Sequence, residues 1–295
     1  MSRLLKAITA EPWAIYPDYL HRIAAIAQRN LDAPEVRDAG EWQKRDYDML
    51  AGPGAQRLAG AHRAMVSGGV AVIPVMGPIF PRANMMTEYS GATSITMLQN
   101  DHQAALASQE VGAIMLLIDS PGGVWAGVDA FATQVAAGAK KKQTMSFISG
   151  LGASAAYWIA VSGTEVVADR TALVGSIGVA IATERQVEPD SDGYLQLDIA
   201  SSNAPAKRPD LGTEDGMNEI KATLDGLEAI FIGHVAASRN VSVDKVKSDF
   251  GRGGIKVSGD AKASGMIDRV QSYDAALQGL RRAVANQRRL DELKR

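Results

Sequence analysis

The chain has 295 residues, 46% apolar and 22% charged, with a net charge of −2. That is the composition of a globular domain, and the near-neutral balance gives no general reason to expect nucleic acid or an acidic membrane as partner. The absence of cysteine excludes disulfides, thiolate metal sites and a cysteine nucleophile, and the four histidines (His21, His62, His102, His234) lack metal-ligand spacing.

Residues 1–66 read as an N-terminal helical arm. Leu20, Ile23, Ala24 and Ala27 form one helical face after the start signal Pro17-Asp18. The polar stretch Asp32 to Asp48 reads as loop or short helix, and Ala51 to Ala55 as a turn or hinge. Docking or oligomer contact is the expected use of this arm. There is no secretory leader pattern, and no apolar run of bilayer-spanning length. No membrane anchor is therefore expected, and the expected location is cytoplasmic.

Val70 to Val75 reads as a strand, with Pro74 pointing to an edge or strand end. Thr93 to Gln109 has helical spacing. Ala113 to Ile118 is a continuous apolar run of the kind buried on both faces in a parallel sheet. Asp119-Ser-Pro-Gly-Gly123 closes it, and Val124 to Gly138 reads as helix. Residues 144–149 read as a buried strand broken by Gly150 and Gly152, with an alanine-rich helix starting near Ser154. Glu165 to Ala168 and Ile177 to Ile181 read as further strands. This alternation predicts an α/β fold built from βαβ crossovers. Ser201 to Gly212 reads as extended and proline-rich. Thr213 starts a long helix with Leu224, Leu227, Ile230, Phe231 and Val235 on one face. His234 reads as a packed core residue. Residues 274–295 form a C-terminal basic amphipathic helix, whose arginines read as a solvated face.

Four places carry possible chemistry. Ser154 sits on a predicted strand-to-helix turn, where unpaired N–H groups favour developing negative charge. A hydrolase places its nucleophile on such a turn, although an N-cap worth about 1 kcal/mol has the same pattern. Gly122 and Gly123 follow a buried strand and allow backbone N–H groups to approach a ligand; an ordinary turn also fits. Ser176 lies on a small-residue turn. Lys207 is held between Pro205 and Pro209, and by itself reads as an exposed loop lysine.

Taken together, Ala153 to Trp158, Ala168-Asp169, Gly175 to Val179 and the upstream Ile118 to Gly123 resemble the signal peptide peptidase A (SppA) family of Ser–Lys peptidases. Phe250-Gly251-Arg252 and Ala261 to Asp268 resemble its C-terminal end. The similarity spans about residues 68–273, so residues 67–273 are taken as the peptidase domain. Asn203 to Asp210 looks most like the phage and prophage head maturation (prohead) protease branch.

The resemblance implies a Clp protease/crotonase-like fold with a mostly parallel sheet and flanking helices. It implies Ser154 as nucleophile, Lys207 as the base that takes its proton, and Ser176 as the serine that orients the lysine. Gly123 and, as second donor, Ala155 would supply oxyanion-hole N–H groups, and Gly122 would line the substrate edge. Alanines at 155 and 156 depart from the glycines usual in bacterial members. A neutral lysine needs a pKa lowered from about 10.4 to about 7–8, so enclosure of Lys207 by an apolar wall is expected, if only after assembly, with Arg208 nearby assisting. The expected function is cleavage of scaffold or capsid proteins, and of the chain itself, in phage head maturation. The expected partners are protein substrates and further copies in a homo-oligomeric ring, and no metal, cofactor or nucleic acid is required. Substrate is expected to add as a strand beside Gly122-Gly123, with Thr87 to Ser94 as another wall. The alternatives are a bacterial SppA-like peptidase acting on signal or other peptides, a crotonase-like enzyme of the same fold, and a non-catalytic shell protein.

Overall fold

A computed structural model describes residues 13–15, 52, 54–83, 92–182, 188–189, 193–194 and 199–294. The predicted helical face at residues 20–27, the polar stretch 32–48 and most of 87–94 and 194–199 lie outside these residues.

The main sheet contains β2 (Gln56–Arg57), β3 (Met65–Ser67), β4 (Val70–Met76), β7 (Ala113–Ser120), β9 (Gln143–Ala153), β11 (Leu173–Gly175) and β12 (Ile255–Val257). Their order is β12-β11-β9-β7-β4-β3-β2. The central pairs β4·β7, β7·β9 and β9·β11 are parallel, and the outer pairs are antiparallel. β10 (Glu165–Ala168) pairs with the first half of β9, and β11 with its second half; β13 (Arg269–Val270) adds to β10. A smaller sheet joins β1 (Trp13–Ile15), β8 (Gly122–Val124), β5 (Ile79–Phe80) and β6 (Thr93–Ser94), in that order.

Side chains alternate across the central strands, as the two-residue period requires. Ile73 and Val75 on β4, Leu116 and Ile118 on β7 and Ile148 on β9 enter one core. That face is covered by α1 (Ile95–Ala107), α2 (Val128–Ala139), α3 (Ala155–Ala160) and α4 (Glu214–Arg239). Val70 and Val72, Met115 and Leu117, and Met145 and Phe147 face the other way. They are covered by Ala276, Leu277, Leu280 and Val284 of the C-terminal helix, Tyr273–Leu293. Two short helices, Val243–Asp249 and Ser258–Ser264, complete the chain between them. Each large apolar side chain buried this way contributes about 1.5–3 kcal/mol. The result is an α/β fold with a mostly parallel central sheet and helices on both faces, as expected.

Several local expectations change. Gly150 and Gly152 do not break β9. They carry no side chain because Asp119 Oδ1 would lie 2.7 Å from a Cβ at 150, and Ile148 Cδ1 2.6 Å from one at 152. Pro74 lies within β4, in register with Leu117, but β3 begins opposite Val72, so only the β7 side is paired there. The helix expected from Val124 starts at Val128, because Gly122–Val124 is strand. The strand expected at 177–181 is instead Leu173–Gly175, since the positive φ at Ser176 (53°) turns the chain out of the sheet. Residues 201–212 are not uniformly extended: Pro205–Lys207 is a 3₁₀ turn.

The helix starting at Thr213 is found, with the Thr213 hydroxyl accepting from Gly216 N–H at 3.1 Å and Glu214 and Asp215 in its first turn. Ile230 is exposed, while Ile232 and Ala236 join Phe231 and Val235 in the core. Trp158 stacks on Phe231 with ring centroids 4.5 Å apart. The basic face of the last helix is only partly solvated. Arg281 donates to Ser67 Oγ at 2.9 Å and Arg288 to the Glu110 carbonyl, clamping the helix onto the end of the sheet.

The first 66 residues, read as an arm, contain β1, β2 and most of β3 among their described part. β2 and β3 extend the main sheet. Asp101, buried on α1, accepts from the backbone N–H groups of His62, Arg63 (2.9 Å) and Ala64 (3.0 Å) and so anchors the chain entering β3.

Candidate active site

β9 is the strand that places the site. It runs parallel between β7 and the β10/β11 pair and ends at Ala153. The next residue, Ser154, has φ 55° and ψ −121°, and α3 begins at Ala155. A β-carbon-bearing residue rarely holds positive φ, and such strain concentrates at functional turns. The cap reading of Ser154 fails on geometry: its side chain accepts no cap hydrogen bond. Its Oγ is buried and has no hydrogen-bond partner among the described residues. A buried hydroxyl without a partner costs about 1–3 kcal/mol, which is tolerated where the group must be kept for chemistry.

The strain is held by the neighbouring strand. Ser154 N–H donates to the Gly175 carbonyl at 2.8 Å, extending the β9·β11 register in which Ala153 faces Gly175. Ser176 follows directly, also buried and at positive φ, with its N–H donating to Gly254 at 2.7 Å. Thus the two serines of the motifs stand on adjacent turns at one end of adjacent parallel strands, where ligands bind in open parallel sheets.

The Ser-Pro-Gly-Gly turn meets them from β7. A Cβ on Gly122 would lie 2.9 Å from Ser154 Cβ, and one on Gly123 would lie 1.9 Å from the Ile79 carbonyl oxygen. Side chains are therefore excluded at both positions, and the backbone itself lines the space beside Ser154. Ser120, which sequence reasoning passed over, fixes this turn: its hydroxyl donates to the Gly77 carbonyl at 2.7 Å and accepts from Gly122 N–H at 3.2 Å. The signal was only a serine between strand and proline. Thr93 makes a comparable two-way clamp on Met76, donating at 2.6 Å and accepting at 3.0 Å. Ala155, as first residue of α3, has no carbonyl one turn back for its N–H.

Lys207 lies at the surface. It ends the exposed 3₁₀ turn Pro205–Lys207, and its side chain lies in solvent. A depression of about 580 Å³ beside that turn is lined by Pro205, Ala206, Pro209, Asp210 and the start of α4, and includes none of the glycine or serine motif residues. His234 does not substitute as a base. Its Nε2 is 2.8 Å from Ser162 Oγ, it packs on Trp158, and burial pushes its pKa down, which fits the expected packed role. Among the described residues no cluster of His, Asp and Glu could hold a metal ion, and no helix is long and apolar enough to cross a membrane.

The geometry is that of a buried, strained serine on a strand-to-helix turn, with the Gly122 backbone against it. Residues 136–186, which span β9, the Ser154 turn and the Ser176 turn, match the sequence pattern of Peptidase family S49. The head-tail preconnector protein GP5 of Enterobacteria phage P21 is 24% identical over 258 residues, covering 83% of this chain and 50% of that protein. The capsid assembly protease C of Escherichia phage lambda is 27% identical over 189 residues, 63% of this chain and 43% of the phage protein. Protease 4 of Salmonella typhi is 26% identical over 222 residues, 72% of this chain and 34% of that protein. The chain spans half or less of the length of each of these three relatives. Ser154 and Ser176 both lie inside the stretch that matches Peptidase family S49, and the chain is similar in sequence to a phage head-tail preconnector protein, a phage capsid assembly protease and Protease 4.

Proposed function

We propose that this chain is a serine endopeptidase in which Ser154 attacks the substrate carbonyl and Lys207 takes the serine proton. Attack forms a tetrahedral oxyanion held by the N–H groups of Gly123 and Ala155. Collapse transfers the acyl group to Oγ and releases the amine with the proton from lysine; water then hydrolyses the ester. Each well-placed oxyanion donor contributes roughly 3–4 kcal/mol to the transition state. The observation that carries the reading is the strained, uncapped Ser154 at the β9–α3 elbow, tied to the Ser176 turn and facing Gly122. Lys207 is exposed in the single chain, so its role requires the 199–212 segment to close over the site. Packing of neighbouring copies in a ring is the proposed cause. Ser176 would then orient the incoming amine.

The names of the phage relatives support scaffold or capsid proteins as substrates, with the host cytoplasm or procapsid as location. The Protease 4 relative supports the broader alternative of peptide degradation. The test is labelling with a fluorophosphonate probe and cleavage of casein or the cognate scaffold protein. Both should occur in the assembled protein and vanish in Ser154→Ala. Absence of labelling in the assembled wild-type protein would favour the shell-protein alternative.

A further inference from the structure

One segment near the site has no part in this chemistry. β1, residues Trp13–Ile15, runs antiparallel to β8, with Trp13 opposite Val124, Ala14 opposite Gly123 and Ile15 opposite Gly122. The other side of β8 is taken by β5, with Ile79 facing Gly123. Ala14 and Ile15 are buried, at 0% and 5% exposure, and Ala14 belongs to the main core. A Cβ on Gly122 would lie 2.3 Å from the Ala14 carbonyl oxygen and 2.9 Å from Ser154 Cβ. The Ala14 carbonyl and the Ser154 side chain are thus separated by no more than those two lengths end to end. Ser154 itself is only 1% exposed.

A serine that cuts peptides must be reached by an extended backbone bearing a carbonyl. Here such a backbone already stands against the glycine strand. Extended peptides bind sheet edges by main-chain hydrogen bonds, with pockets for alternate side chains setting selectivity. Gly122 leaves no room for a side chain between β8 and this neighbour, as a strand-docking edge needs, while at Gly123 the exclusion comes from Ile79 on β5.

We infer that the Gly122–Val124 edge is the substrate-binding edge and that Trp13–Ile15 fills it as a substrate-like blocking strand within the same chain. The inference rests on the proteolytic reading of Ser154. It names the substrate class: extended segments with a small apolar residue in the place of Ala14, followed by a branched apolar one in the place of Ile15. Because the strand is tethered, its effective concentration is on the order of millimolar. Free peptides compete poorly until it is displaced.

The test uses the full chain in the Ser154→Ala background, so that binding is read without catalysis. A fluorescein-labelled peptide matching residues 10–20 is titrated by anisotropy against this protein and against the same protein carrying Ala14→Glu, which expels the strand by burying a charge. Ala14→Pro, which removes a strand N–H without adding charge, is the second variant. At least tenfold tighter peptide binding to both strand variants, with faster amide exchange at Gly123 and Val124, is expected. Equal binding with and without the strand substitutions, or no binding to a strand variant that melts like its parent, overturns the inference. With Ser154 restored, Ala14→Glu should also react at least tenfold faster with fluorophosphonate. Tighter peptide binding without any labelling would keep the blocking strand and remove the proteolytic reading.

Discussion

The backbone N–H of Ser154 donates to the carbonyl of Gly175 at 2.8 Å. This bond joins two turns, each carrying a serine at positive φ (55° at Ser154, 53° at Ser176). Residues that the sequence separates by a helix and two strands are brought to one end of the sheet by the parallel pairing of β9 and β11. The strain of both turns is carried by the ladder rather than by local preference.

Relief of that strain gives the first prediction. Ser154→Gly should stabilise the fold by about 1 kcal/mol, since glycine accepts the backbone angle that serine resists. Ser154→Ala, which keeps the β-carbon, should show no comparable gain. Urea denaturation of the three proteins measures this. A Ser154→Gly protein less stable than Ser154→Ala would mean the turn is not strained.

A side chain at 123 meets backbone instead of a movable group. The Ile79 carbonyl oxygen would lie 1.9 Å from the new carbon, so Gly123→Ala must push β5 and β8 apart. A loss of about 1–3 kcal/mol is expected, together with loss of cleavage. Gly226→Ala, where nothing lies within 4 Å of the added carbon on the long helix, should be neutral or stabilising by up to about 1 kcal/mol. Thermal melts of both variants check the contrast.

Lys207 separates stability from chemistry. Its side chain is exposed, so Lys207→Ala should alter stability by less than about 0.5 kcal/mol. As proposed general base it should account for about 10²- to 10⁴-fold in rate. Lys207→Arg should not restore turnover, because guanidinium keeps its proton. Retention of near-normal cleavage in Lys207→Ala would assign the base elsewhere.

His102 makes stability depend on pH. It is fully buried on α1, with Gln134 Nε2 3.1 Å from its Nδ1 and an edge-on contact to Phe131. Burial lowers its pKa from 6.5 to about 4. The unfolded chain therefore binds a proton at pH values where the folded chain does not. Between pH 6.5 and about 4 this group's contribution to stability falls as pH falls, by at most about 3 kcal/mol; above 6.5 and below 4 it is constant. Denaturation midpoints of wild type and His102→Leu should diverge in pH slope only across that window.

Much of the fold was legible in the residues. The apolar runs at Val70–Val75 and Ala113–Ile118 identified the central strands, because burial on both faces leaves no polar position. The apolar face of Leu224, Leu227, Phe231 and Val235 announced the long helix that starts at Thr213. Ser154 and Ser176 were found because small residues crowd around tight turns. One error came from two glycines. Gly150 and Gly152 look like breakers in one dimension, but they are spaces for the side chains of Asp119 and Ile148.

The chain of residues determined by itself the α/β class, the strands β4, β7, β9 and β10, and the turns on which chemistry could sit. Those depend on local pattern, where neighbours in sequence are neighbours in space. Only the tertiary structure decided that the Ser154 and Ser176 turns stand side by side at the ends of β9 and β11, and that Trp13–Ile15 lies along Gly122–Val124. Each of these is a contact across many residues of chain, set by strand register and by which surfaces remain to be buried. Neither is encoded in any short window of residues.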